Sequence, residues 1–425
     1  MTPRARAEWH PLRRVALRAP QIEAFFGLLE PYAALYERVF SLAGARREHA
    51  RLAEVLRADL GVRVEDLDGL LARSAAARPS VARELIDRAT SAVKFRGPGA
   101  TRARREFNET LRGLDLEQVI ETLVLRPEFR FLRSRGARAI RSYPTLREPL
   151  TNLFFLRDQQ ALTDRGIVLG RPAKPQRRAE ADLTGFVWRA AGERPLTPIR
   201  RGTFEGGDFL PAGDFALVGL GDRTDAIGVR ELLAGGLGFD EVAVVHRPGH
   251  PLLPRPDAMV TMHLDTYLNF AGEGIAVGQR ELLALARVDR YRREGGAYRP
   301  AGSTRLLPYL EGERGFRLVG ISTLEQLCYA TNFLTVRDGS VVVPDVARNA
   351  RRVLSNLTRI ARRDPRRYGA LAEQARRDHR RLDGRFFPDR PEARTLGLES
   401  VRVPLENLTG AYGGAHCLTA VLGRA

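Results

Sequence analysis

The chain has 425 residues, 44% of them hydrophobic, enough to bury a large core, and no segment nears the roughly 20 apolar residues needed to cross a bilayer. Its two cysteines, Cys328 and Cys417, exclude a disulfide scaffold and offer no CxxC pair for zinc or redox work. The formal charge of +18 would attract polyanions, but only Lys94 and Lys174 are lysines; the arginine clusters (among them Arg104, Arg362, Arg366, Arg376 and Arg380) stand beside acids or in helical patterns without an aromatic platform, so nucleic acid is not an expected partner.

At the N-terminus, MTPRARAEWHPLRR lacks the apolar stretch of a secretory signal, and a cytoplasmic protein is expected. RRVALRAP then reads as a strand, with Val15 and Leu17 alternating with residues of another character. In EHARLAEVLRADLGVRVEDL, Leu52, Val55, Leu56 and Leu60 share one helical face, Gly61 caps the helix and an extended segment follows. This helix-then-strand unit recurs in VRELLAGGLGFDEVAVVH and again from RELLALARVDRY towards FRLVGI, predicting an α/β fold of similar modules.

Between 75 and 148 the strand signals vanish. Val81, Leu85 and Ile86 line one helical face, and Leu116, Val119, Ile120 and Leu123 another. This stretch is expected to be a helical insertion into a catalytic domain formed by 1–74 and 149–425. Further on, Asp338-Gly339 between LTVR and SVVVP predicts a hairpin, and 346–383 reads as arginine-rich helix. ESVRVPL and CLTAVLG are expected to be the closing strands, which would start a strand at Cys417, on the edge of a loop holding Tyr412 to His416.

Four distant segments concentrate acids, histidine and thiol: NLFFLRD ending at Asp158, FEGGDF with Glu205 and Asp208, MHLD with His263 and Asp265, and GGAHC with His416 and Cys417. Taken singly, each has a bland reading as a turn, a surface pair or a structural histidine. A metal site lacks a recognisable second ligand pair. A thiol with a histidine makes a nucleophile and a proton shuttle, but three further carboxylates are too many for a neutral acyl substrate. They suit a cation. A guanidinium presents planar N–H donors that carboxylates engage bidentately, and pairing its charge offsets its desolvation.

Together and in this order, the four segments resemble the motifs of the arginine deiminases, in the superfamily of guanidine-modifying enzymes. RRVALRAP, GDRTDAI at 221–227 and the helical stretch before NLFFLRD add to the resemblance. It implies an α/β pseudo-fivefold propeller of ββαβ modules with an inserted helical bundle, acting without a cofactor on L-arginine or a related guanidine. It also implies Cys417 as nucleophile, His263 as general acid and base, Asp158 and Asp265 as guanidinium clamps, and Glu205 as the carboxylate that orients His263. Asp208 is expected to be structural. Arg223, with Arg177 or Arg178, would bind the substrate carboxylate, and Asn152 and Phe155 would line the pocket. Where many arginine deiminases carry an arginine before the terminal glycines, this chain has Tyr412, which cannot offer a charged fork. An amidinotransferase, a hydrolase of agmatine or a methylarginine, and an idle polyanion-binding relative are the rival readings. Self-association is left open.

Overall fold

A computed structural model describes residues 3–133 and 140–425. One unit accounts for most of it: an antiparallel strand pair, a helix, and a third strand parallel to the second. The pair Gln160–Thr163 and Gly166–Leu169 is followed by helix Arg178–Ala191 and strand Leu196–Pro198. Phe209–Ala212 and Phe215–Leu220 precede helix Ala226–Gly235 and strand Glu241–His246. Leu268–Gly272 and Ile275–Gly278 precede helix Arg280–Leu285 and strand Arg317–Gly320. Leu334–Arg337 and Ser340–Pro344, joined at Asp338-Gly339 as expected, precede helices Val346–Arg363 and Pro365–Leu382 and strand Glu399–Val403. The fifth unit joins the two ends of the chain: Ala420–Arg424 pairs antiparallel with Leu12–Leu17, which runs parallel to Arg63–Asp66 after two helices.

Strands of neighbouring units touch. Ala420–Arg424 meets Gln160–Thr163, Phe209–Ala212 meets Leu268–Gly272, and Leu334–Arg337 meets both Leu268–Gly272 and Leu12–Leu17. Most strands of the pairs are buried along their whole length, on both faces. That is why they read as near-continuous apolar runs instead of alternating ones.

Three details differ from the sequence reading. The stretch 75–148 is not free of strands: Lys94–Arg96, Pro127–Arg133 and Ile140–Leu146 form a sheet beside its helices, and the helical run already begins at Leu67. The segment after RELLALA is a hairpin, Arg287–Glu294 with Ala297–Arg305, which widens the neighbouring module's sheet before the chain reaches Arg317–Gly320. Cys417 does not start a strand. The last strand opens at Ala420, and Cys417 lies in the turn before it.

The arginine-rich helices carry their charge on exposed faces, with pairs such as Arg102–Glu106, Arg376–Glu373 and Arg381–Asp378. Among the described residues no helix is long and apolar enough to cross a membrane. Phe270 is fully buried against Trp9, Phe215 and Phe316, with ring centroids 6.0, 6.4 and 4.8 Å away. Phe270→Ala is expected to cost about 3–5 kcal/mol in urea unfolding through the cavity it leaves.

Candidate active site

Four of the five modules deliver a motif from the turn that precedes their first strand. Asp158 lies in the single-turn helix Arg157–Gln159, Glu205 just before the turn Gly206–Asp208, and His263 and Asp265 at the turn Leu264–Thr266. Cys417 lies in the turn before Ala420–Arg424. The turn holding Asp158 touches the one that follows Glu205, and that one touches the turn at His263 and Asp265. Close approach explains a glycine here: a Cβ on Gly206 would stand 1.9 Å from the Gln160 carbonyl oxygen and 2.2 Å from that of Arg157. Gly206→Ala therefore should drive two turns apart, lowering stability by about 1–3 kcal/mol and activity with it, as read by thermal melting and turnover.

Asp158, Glu205, His263, Asp265 and Cys417 are all buried. His263 Nε2 lies 2.8 Å from Glu205 Oε2, and its Nδ1 3.7 Å from Asp158 Oδ1. Arg177 donates from Nη1 to Asp158 Oδ2 at 2.7 Å and from Nε to Glu180 Oε2 at 2.9 Å, and its Nη1 is 3.8 Å from Glu205. Arg223 Nη1 lies 3.6 Å from Glu205. On the other side, Asp265 Oδ2 is 2.8 Å from His416 Nδ1 and 3.7 Å from Cys417 Sγ.

Several polar atoms are left without a hydrogen bond inside the protein: Oδ1 of Asp158, Oδ1 of Asp265, Nη2 of Arg177, and Nε and Nη1 of Arg223. Buried polar atoms are seldom unpaired, so such a group marks a place for a polar ligand. One ligand atom from each of Asp158, Glu205 and His263 can be chosen within 4.8 Å of the others, close enough to share a cation. The guanidinium groups of Arg177 and Arg223 already supply positive charge to these carboxylates.

At Glu205, His263, Asp208 and Cys417 burial opposes charge, and the neighbours decide the outcome. For Glu205 burial is outweighed by Arg223, the His263 hydrogen bond and Arg177, which hold its carboxyl well below the usual range. For His263 burial is outweighed by Asp158, Glu205 and Asp208, and its pKa is raised to about 9. Asp208 goes the other way, pushed up to about 6 by burial, while its carboxylate accepts from Thr224 Oγ1 and Leu264 N. For the Cys417 thiol, burial and then the charges of Asp265 and Asp158 push the pKa well above its ordinary value.

The remaining expected residues separate. Arg177 is in the cluster; Arg178 is not, being half-buried with its Nε on the Pro172 carbonyl and lining a surface groove with Arg88 and Arg189. One helical step turned it outward. Asn152 is buried, donating from Nδ2 to the Ala34 carbonyl at 2.7 Å and from its backbone to Glu180. Phe155 packs where a side chain on Gly413 would otherwise stand, 2.3 Å from that position. Tyr412 is half-buried at φ 72°, and its hydroxyl is held well above its usual pKa by burial and by Glu37 and Asp257.

Residues that sequence reading missed include Glu8, which takes Arg424 at 2.7 Å and approaches His416 at 3.6 Å, Glu180, and Asn332, whose side chain reaches the Cys417 sulfur. Asn332 had one signal: like the motif residues it lies in the turn leading into the first strand of a pair.

The description "arginine deiminase" belongs to a family model that matches residues 33–424. An arginine deiminase of Halobacterium salinarum is 28% identical over 411 residues, covering 78% of this chain and 84% of the relative. One from Streptococcus pyogenes is 28% identical over 247 residues, covering 54% of this chain and 59% of the relative, so the match spans less than two thirds of that protein. Among solved structures, DDAH from Pseudomonas aeruginosa in complex with citrulline superposes with a TM-score of 0.50 at 15% identity, covering 98% of this chain and 100% of the other. The N-terminal domain of ArgZ, a cyanobacterial arginine dihydrolase bound to product, does so at 0.52 and 12% identity, with 97% of both chains covered. Fold and comparisons define the class: a hydrolase of guanidine carbon–nitrogen bonds on the pentein fold. More particularly, this chain belongs to the arginine deiminase family.

The shifted histidine has a measurable consequence. Its folded pKa of about 9 lies above the ordinary 6.5, so protonation of His263 stabilises the fold fully below about pH 6.5 and that contribution is lost as pH rises through about 9. Between pH 7 and 9 the unfolding free energy of the wild type should fall more steeply than that of His263→Gln, as measured by urea titration at three pH values.

Proposed function

We propose that this chain hydrolyses L-arginine to L-citrulline and ammonia through a covalent adduct on Cys417. The observation that carries this reading is a buried thiol flanked by two aspartates, Asp158 and Asp265, each with one carboxylate oxygen that no protein donor satisfies. A guanidinium offers planar N–H donors to both, with its central carbon within about 3–3.5 Å of the sulfur in a near-attack arrangement.

The resting thiol is protonated, because burial and two nearby anions oppose the thiolate. A docked cation reverses the second effect, so substrate binding itself promotes ionisation of Cys417, its proton passing to solvent because His263 is already protonated. Thiolate attack on the guanidinium carbon gives a tetrahedral adduct. His263, held protonated against Glu205, gives its proton to the departing nitrogen and ammonia leaves. The S-alkylthiouronium that remains is attacked by water as His263 takes up a proton, and collapse frees citrulline and the thiol.

The unpaired donors of Arg223 and Arg177 favour a substrate with an α-carboxylate, and agmatine would leave them unmet. The hydrolytic outcome, not transfer to an amine, is what the FEGGD segment's resemblance to the hydrolases implies, since the transferases carry alanines between the two acids. A cytoplasmic location is part of the proposal, since a free thiol nucleophile suits a reducing compartment.

Incubated with arginine, agmatine and methylarginines, with and without an amine acceptor, the pure protein should release citrulline and ammonia from arginine alone, as identified by mass. Cys417→Ala should lower turnover at least about a thousandfold with an unchanged melting temperature. Wild-type turnover in that variant would sink the assignment.

A further inference from the structure

Four of the five modules place a candidate site residue in the turn before their first strand: Asp158, Glu205, His263 with Asp265, and Cys417. The remaining first strand is Leu334–Arg337, and the residues leading into it are Thr331, Asn332 and Phe333. We infer that Asn332 is this fifth module's contribution to the site, a positioning residue that donates a hydrogen bond to the Cys417 sulfur and locks the loop that carries it. The inference rests on Cys417 being the nucleophile.

The side chain of Asn332 is fully buried and uses both ends. Its Oδ1 accepts from the backbone N–H of Gly414 at 2.8 Å and of Cys417 at 3.1 Å. Two backbone donors on one atom fix which end of the amide is oxygen, and the NH2 must then face the sulfur. Nδ2 lies 3.1 Å from Cys417 Sγ. The Asn332 carbonyl accepts from the backbone of His416 at 3.0 Å, so one residue touches the loop at four points. The approach is close enough to require glycine opposite it: a Cβ on Gly414 would lie 2.8 Å from the Asn332 carbonyl oxygen and 3.1 Å from Oδ1.

Asn332 is itself rigidly held. Thr331 Oγ1 donates to the Asp265 carbonyl at 3.0 Å, and Asn269 Nδ2 donates to the carbonyls of Thr331 and Phe333 at 3.0 and 2.9 Å. The same short segment thus ties Asp265 and Cys417 to one another, and His416 closes the circuit through its contact with Asp265. Chemically, an N–H donor favours the thiolate over the thiol, because a charge-assisted hydrogen bond is the stronger one. Burial and two carboxylates work against that thiolate, and the Asn332 hydrogen bond acts in the opposite sense. After attack, the same donor keeps the sulfur aimed at the substrate carbon.

Two variants separate a role in thiol activation from mere loop support. Asn332→Asp keeps an oxygen for both backbone donors but cannot donate to sulfur at neutral pH, whereas Asn332→Ala removes donor and acceptor without adding charge. Alkylation of Cys417 by iodoacetamide at pH 8, mapped by peptide mass to distinguish Cys328, is expected to slow at least tenfold in both. With arginine, kcat should fall at least tenfold in both while KM stays within about threefold. If Asn332→Asp alkylates within twofold of wild type, the residue only supports the loop and the inference falls. If Asn332→Ala does so while Asn332→Asp slows, the effect is one of added charge and the inference falls equally. Should Asn332→Ala fail to fold, Asn332→Asp alone decides, its alkylation rate and kcat read against wild type. Failure of the nucleophile assignment shows up separately, as turnover in Cys417→Ala.

Discussion

Anionic carboxylates out of contact with water are the constraint around which this structure is arranged. Asp158, Glu205 and Asp265 are all buried, and an ion in such a place costs several kcal/mol unless it is paired and hydrogen-bonded. Arg177 answers most of that demand, spanning Asp158, Glu180 and Glu205 with one guanidinium, while Arg223 and His263 complete the pairing of Glu205. What is left over, one oxygen on each of Asp158 and Asp265, is a deficit of positive charge and N–H donors. The protein carries its own guanidinium groups on these carboxylates, and the substrate proposed here is another guanidinium.

The fold makes that concentration of charge feasible by repetition. A first strand buried on both faces has little room for charged groups along its length, and the modules place them at the turn just ahead of it. Five such turns, joined by contacts between neighbours, bring residues separated by more than 250 positions in sequence, Asp158 and Cys417, into one electrostatic environment. The ends of the chain close the arrangement by sharing a sheet, and the buried pair Glu8–Arg424 fastens them beside His416.

Much of this is legible in the sequence, for reasons that can be named. The motif residues are legible because acids, a histidine and a thiol stand out beside apolar strands, and the helix-then-strand units because glycine breaks such as Gly61 and the turn Asp338-Gly339 punctuate them. Asn332 was not legible in that way: it lies in LEQLCYATNF, where an amide among apolar residues carries no charge to mark it, and its partners are backbone groups more than 80 residues away. Arg177 and Arg178 could not be told apart without the helix phase, which points one into the cluster and the other to the surface. CLTAVLG reads as a strand from Cys417 because it is largely apolar, but the hydrogen bonds to Asn332 hold its first residues in a turn. At 127–133 the alternation of Glu128 and Arg130 with Phe129 and Phe131 does mark a strand, whereas 94–96 is too short and 140–146 too irregular to show the two-residue period.

The central claim is that the reaction passes through sulfur, and the most direct measurement is rapid acid quench of the enzyme during turnover of arginine, followed by intact-protein and peptide mass. The account predicts a transient adduct carrying the amidine carbon and the ornithine side chain of the substrate, on the peptide that contains Cys417 and not on that containing Cys328. Steady release of citrulline with no adduct at any quench time, in a protein whose Cys417 is demonstrably unmodified, would contradict it.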